Sequence, residues 1–248
     1  MDTAAALARR LKIPFHIHLH ETCSECSDWE NGTPFMPPHK VRPVATLQEH
    51  GIVDENLVAV HMTQLNDDEI ALLAEKRSSV VHCPESNMKL ASGACPVSKL
   101  LDAGVNVAIG TDGCASNNDL DMYSEMRSAA FLSKHTAANP EAVPAHKALY
   151  MATMGGAKAL KLDDKIGSLE LGKQADIQAV SMDELEAMPM YNVISHLVYC
   201  TGRCQVTDVW VAGKQLVSNK KLTEMDEAAL KTKALEWGAK IKAHHDKT

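Results

Sequence analysis

The chain has 248 residues, a formal net charge of -7, 45% hydrophobic and 23% charged residues, which suits a globular protein able to bury a sizeable core in one large or two smaller domains. No Lys/Arg cluster is dense enough to follow a phosphate backbone, no apolar run reaches the length of a bilayer span, and Met1 to Ala5 carry no signal-peptide pattern. Nucleic acid and membranes are therefore not expected as partners, and a cytoplasmic location is. Seven scattered cysteines read as reduced thiols; Cys23 and Cys26 spell C-x-x-C, without the second pair that a zinc finger needs or the βαβ unit that a thioredoxin-like motif needs.

The first predicted strand, residues 13–20, carries His16, His18 and His20 in alternation with Phe15, Ile17 and Leu19. With a period of two, the three imidazoles share one face. Imidazoles crowded in this way resist protonation together and suit a divalent cation such as Zn2+ as neutral ligands. A solvated polar strand face is the plainer interpretation. Glu21 follows at the strand's end. A second strand is expected at 57–62, then a helix opened by the capping box of Asn66 and Glu69 ahead of Ile70, Leu72 and Leu73. A third strand at 79–83 precedes a helix through Leu100 and Leu101 that stops at Gly104. The fourth strand, 105–109, leads into Gly110, Thr111 and Asp112, and helices follow near 120–133 and 145–160.

Strands spaced by helices imply parallel βα units, in which function gathers at the carboxyl ends of the strands. His18, His20, Glu21, His61, His82 and Asp112 all fall there, so four strands deliver ionisable groups to one rim. After about residue 163 the pattern becomes short strands and Gly turns, with a hairpin over 206–217 tipped by Gly213 and Lys214. Residues 226–243 form an amphipathic helix with Leu230, Ala234, Trp237 and Ile241 on one side, as a docking or oligomer helix would.

Four segments in this order, HLHE (18–21), VAVH (58–61), VVHCPESNMKL (80–90) and GTDGCASNN (110–118), resemble the second half of the amidohydrolase superfamily, and most closely its 5-methylthioadenosine/S-adenosylhomocysteine deaminases. The segment GSLELGKQAD (167–176) is similar to the strand pair that opens the small β domain of that family. The likeness runs from about Ala5 to Leu222. It implies an α/β fold: a partial TIM-type (β/α)8 barrel of about its last four βα units over residues 1–162, then a small β-sandwich segment with a C-terminal helix over 163–248.

By the same resemblance, His18 and Asp112 are metal ligands, one Zn2+ is bound per site with Fe2+ or Mn2+ as substitutes, and Glu21, His61 and Asp112 are catalytic. Glu21 contacts the purine and moves a proton to its ring nitrogen, and His61 holds the attacking hydroxide. Asp112 takes the proton of the water and returns it to the leaving ammonia. Glu21, His82, Ser86, Asn87 and Ser116 are implied to face the substrate, the last four with a purely structural hydrogen-bonding role as the alternative. The implied reaction is hydrolytic deamination of a purine nucleoside thioether, 5′-methylthioadenosine or S-adenosylhomocysteine. Other members of the superfamily act on guanine, triazines or pterins and share this metal site.

A complete (β/α)8 barrel takes about 250 residues, whereas only about 160 precede the β segment. Too few positions separate His18 from Asp112 for the seven βα steps that a first-strand His-x-His pair would require, at about 30 residues per unit. His16 and His18 are therefore not that pair. The sequence leads to the expectation of a fragment, or of a half-barrel completed by a homo-oligomer or by a complementing N-terminal half. Its counterpart is an inert half-barrel with His16, His20 or His61 as imperfect substitute ligands.

Overall fold

Four short apolar runs become the parallel sheet of the computed structural model, which describes residues 2–34 and 38–245. Helix α1 (Asp2–Leu11) leads into β1 (Phe15–Leu19), then α2 (Cys23–Asn31) and α3 (Pro43–Glu49). Next come β2 (Leu57–His61), α4 (Asp67–Glu75), β3 (Ser79–His82), α5 (Pro84–Lys89), α6 (Val97–Asp102) and β4 (Asn106–Ile109). Strand order is β1-β2-β3-β4, all neighbours being parallel, with His18 opposite Val60 and Val81 opposite Ala108. Strand β2 is buried along its whole length, as an inner strand with helices on its flank must be. The expected capping box is present: the Asn66 side chain accepts from Glu69 N–H while Glu69 reaches back to Asn66 N–H.

A longer helical run follows in α7 (Met122–Ala137), α8 (Ala145–Tyr150), a π-helical turn (Met151–Gly155) and α9 (Gly156–Ala159). The π turn lies against β4. A Cβ on Gly155 would stand 2.5 Å from the Val107 carbonyl oxygen and 3.2 Å from that of Tyr150, and Asn106 Nδ2 donates to the Gly155 carbonyl at 3.0 Å. Alanine is the better helix former by up to about 1 kcal/mol, but here backbone would have to move. Gly155→Ala is expected to destabilise the protein by about 1–3 kcal/mol, read as a lower thermal midpoint; an unchanged or raised midpoint would show that helix propensity wins.

Two units are separable by their internal contacts: Met1–Lys173 with Leu185–Arg203, and Gln174–Glu184 with Cys204–Thr248. The first contains the parallel sheet and α10 (Val193–Tyr199). Its fully buried side chains include Leu19, Leu47, Ile52, Leu57, Leu73, Leu100 and Met151.

The second unit is one antiparallel sheet of order β5-β6-β7-β8, formed by β5 (Ile177–Val180), β6 (Val206–Val211), β7 (Lys214–Ser218) and β8 (Lys221–Leu222), then α11 (Glu227–His245). Within this unit the described residues form one four-stranded antiparallel sheet, where the sequence leads to the expectation of a β-sandwich segment; alternation within short strands does not reveal how many sheets they build. The hairpin tip is Ala212 and Gly213, both at positive φ (49° and 80°), as a two-residue turn matching strand twist requires. Lys214 already pairs with Val211. Leu230, Trp237 and Ile241 of α11 stand exposed. Among the described residues no helix is long and apolar enough to cross a membrane.

Candidate active site

The alternation of β1 ends at Leu19, and this decides which histidines meet. His16 and His18 lie on the exposed face of the strand, whereas Leu19 is buried. His20 follows with a left-handed φ of 52°, which turns its ring away from the other two. The expectation that three imidazoles share one face is therefore corrected: His20 is fully buried elsewhere. There Val44 N–H donates to its Nε2 at 3.2 Å, its Nδ1 faces the Gln64 carbonyl at 3.4 Å, and Arg42 and Glu69 form a bidentate pair beside it at 2.7 and 3.0 Å. Burial holds the His20 imidazole below its ordinary pKa, with the nearby Arg42 adding to the fall and Glu69 opposing it.

His18, His61 and Asp112 come together instead. One ligand atom from each lies within 4.8 Å of the others, although the residues belong to the ends of β1, β2 and β4. His18 Nε2 is 3.6 Å and His61 Nε2 is 3.9 Å from the Asp112 carboxylate, and the two rings stack at 5.2 Å. Glu21 joins them at the rim, its Oε2 being 3.8 Å from His61 Nε2. Two imidazoles and a carboxylate are ligand types that suit Zn2+, and three protein ligands with one open position is the arrangement of a catalytic zinc site.

Backbone strain gathers at the same rim. His61 and Asp112, like His20, have left-handed φ values of 74° and 61°, a conformation costing of order 1–3 kcal/mol for a residue with a side chain. Hydrogen bonds between strand ends oppose it: Met62 N–H donates to Leu19 O, Thr63 N–H to His20 O and Gly110 N–H to His82 O, at 3.1, 2.9 and 3.0 Å.

The remaining expected residues sit behind the cluster. Ser86 Oγ donates to Asp112 Oδ2 at 2.7 Å, and Asn87 Oδ1 accepts from His61 Nδ1 at 2.8 Å, which turns His61 Nε2 toward the carboxylates. Burial works to raise the Asp112 pKa. Hydrogen bonds from Ser86, the Gly113 N–H and Ser116 outweigh it, with the nearby His61 adding to the fall, and the carboxyl lies below its usual range. His82 is fully buried, and burial followed by the neighbouring His61 pushes its imidazole down to about 3; it is a neutral ring at any working pH. His82, Ser86 and Asn87 are each no more than 1% exposed, so they back His61 and Asp112 rather than line an open surface. The Cys26 thiol, 3.7 Å from His20 Nδ1, is pushed up to about 11 by burial first.

Sequence reasoning missed an acidic pair beneath the Asp112 loop. Glu125 of α7 is fully buried, accepts from the Asn117 side chain and, at 3.3 Å, from Glu85 N–H. Glu85 in turn accepts from Ser124 and, at 2.8 Å, from Ser128. Burial, with the charges of Glu85 and Asp119, raises the Glu125 carboxyl to about 8 against the hydrogen bonds that lower it. The folded chain therefore keeps a proton that the unfolded chain releases in the usual carboxylate range, and stability falls as pH rises from that range to about 8, by up to about 1.4 kcal/mol per pH unit. Glu125→Gln removes this slope. The variant is expected to melt higher than the parent at pH 8 and close to it at pH 5; parallel stability curves for the two would show that Glu125 is ionised in the fold.

Residues 1–216 match the model of the Amidohydrolase family. The 5-methylthioadenosine/S-adenosylhomocysteine deaminase of Teredinibacter turnerae is 44% identical over 243 residues, which are 98% of this chain and 54% of that protein. An adenosine deaminase from Xanthomonas campestris, solved with bound zinc, is similar at a TM-score of 0.94 and 50% identity over 98% of this chain and 54% of its own. An atrazine chlorohydrolase from Arthrobacter aurescens, complexed with zinc, is similar at a TM-score of 0.84 and 25% identity over 94% and 50%. The chain spans about half the length of the curated relatives it matches.

Proposed function

The chain belongs to the amidohydrolase family, and from that premise we propose that it carries the metal-binding rim of a hydrolytic deaminase acting on 5′-methylthioadenosine or S-adenosylhomocysteine. The observation that carries this reading is the meeting of His18, His61 and Asp112 within 4.8 Å, with the Glu21 carboxylate 3.8 Å from His61. The cation is Zn2+, one per site, held by His18, His61 and Asp112. When bound, it supplies a Lewis acid able to bring the pKa of a water to about 7.

The side chains divide the remaining work. Water adding to the purine carbon that bears the amine places negative charge on the ring unless the adjacent ring nitrogen takes a proton; Glu21, at the accessible rim, delivers that proton and recovers one from the new hydroxyl as the amine departs. Asp112, held by Ser86 and Ser116, receives the proton of the attacking water and passes it to the departing ammonia. His61, turned by Asn87, keeps its Nε2 toward both carboxylates. Adenine thus becomes hypoxanthine, with water consumed and ammonia released.

The parallel unit is read as about four βα units of an eight-unit TIM-type barrel. Supporting this, β1 and β4 end the sheet order, so each has one side on which further strands can pair. Those strands come from a longer chain, a complementing N-terminal half or a second copy. The resemblance to the atrazine chlorohydrolase favours a second reading, in which the same rim serves a triazine, or guanine or a pterin. Elemental analysis for zinc, with ammonia release measured from methylthioadenosine and chloride release from a chlorotriazine, tests both. Stoichiometric zinc with turnover of the thioether is the expected result; zinc with triazine turnover alone selects the second reading, and neither metal nor turnover identifies an inert half-barrel.

A further inference from the structure

Glu21 stands one residue beyond the left-handed turn at His20, so whatever holds that turn determines where its carboxylate points. The turn is fastened from two sides. On one side, Thr63 N–H donates to the His20 carbonyl at 2.9 Å, and Thr63 Oγ1 donates to the Glu21 carbonyl at 2.7 Å. On the other stands Glu25, in the first turn of α2. Its Oε1 accepts from His20 N–H at 3.0 Å and its Oε2 from Glu21 N–H at 2.6 Å.

This differs from an ordinary capping box. Thr22 caps α2, its Oγ1 accepting from Glu25 N–H at 3.1 Å, and in such a box the carboxylate at the third helical position returns to the N–H of the cap itself. Glu25 reaches past the cap to the two residues before it. A carboxylate that takes two main-chain N–H groups makes charge-assisted bonds, and here both belong to the residues that aim Glu21.

The geometry points to Glu25 as the positioning residue of the proton-carrying carboxylate: it holds the main chain at His20 and Glu21 so that Glu21 stands beside His61. The inference rests on the proposed role of Glu21. Glu25 itself acts only through main chain. Replacement by glutamine keeps the size but leaves one acceptor and turns an amide N–H₂ toward a main-chain N–H, so the turn loses one anchor and gains a repulsion.

The test combines amide hydrogen exchange with a double-mutant cycle on the zinc-loaded protein. In Glu25→Gln the amides of His20 and Glu21 are expected to exchange about tenfold or more faster, while that of Val81, inside β3, is unchanged. In the cycle, Glu25→Gln is expected to lower kcat about 10- to 30-fold with KM within about twofold, and to lower it no further when Glu21 is already glutamine. Unchanged exchange at both amides overturns the inference, as does the same loss in both Glu21 backgrounds, the mark of a merely structural helix cap. The exchange measurement needs no turnover. If Glu21→Gln turns over at the parent rate, the role proposed for Glu21 fails and the inference falls with it; if Glu21→Gln is slow and the cycle is additive, only the inference falls.

Discussion

Asp112→Asn is expected to lower ammonia release by about 10³-fold or more and to leave bound zinc below about a tenth of the parent's stoichiometry after dialysis. The change is nearly isosteric, so its effect is electronic. Asp112 offers one oxygen toward His18 at 3.6 Å and the other toward His61 at 3.9 Å, the latter also accepting from Ser86. An asparagine replaces one of these oxygens by an N–H₂ group. If the amide oxygen stays with Ser86, a donor faces His18 and repels a cation; if it faces His18, the N–H₂ group stands toward His61, with Ser86 turned to accept from it, and repels the cation from that side. In neither orientation does the side chain take a proton from water. The carboxyl's depressed pKa favours its ionised form, so under the proposed roles the parent can hold the cation and take the proton, and the variant can do neither. Retained zinc with retained turnover would remove Asp112 from both roles, whereas retained zinc with lost turnover would leave it the proton carrier only.

Much of this arrangement is legible in the sequence where a local rule and the tertiary context agree. The apolar run ending at His61 folds as a strand buried at every position, and Asn66 with Glu69 starts a helix where a capping box should. The approach to Asp112 is legible for the same reason, since Val107, Ala108 and Ile109 have nowhere to go but the core. Reading failed where backbone conformation departed from the period. Residues 13–20 look like one alternating strand, and nothing in their composition says that the alternation stops after Leu19. The left-handed φ at His20 is imposed by partners distant in sequence, Thr63 and Val44, together with Glu25. Helix α2 escapes sequence reading because the polar stretch from Cys23 to Asn31 buries only Cys26, too little to show a helical stripe. Its usable signal is the Thr22 and Glu25 spacing, a capping pattern that also locates the anchor of Glu21. Glu125 has no sequence signal: an acidic residue within a helix is ordinarily solvated, and its burial depends on how Asn117 and Glu85 are brought against it.

Glu21→Gln is expected to leave zinc stoichiometric while slowing turnover by about 10²-fold or more. Glu21 lies outside the trio whose ligand atoms share one small region; its Oε2 approaches His61 at 3.8 Å and its Oε1 is 3.4 Å from Ser92 Oγ. A glutamine keeps the shape and the main-chain bonds to Glu25 and Thr63, so substrate should still bind and KM should change little. What disappears is an acid able to hand a proton to a ring nitrogen at the moment that water adds to the adjacent carbon. Without it the addition places negative charge on the ring unassisted, and the barrier rises by about 3 kcal/mol for each hundredfold in rate. Zinc content separates this role from ligation. Were the metal lost in Glu21→Gln, Glu21 would be a fourth protein ligand, the position open to water would be closed, and the assignment of proton transfer would pass to Asp112 alone.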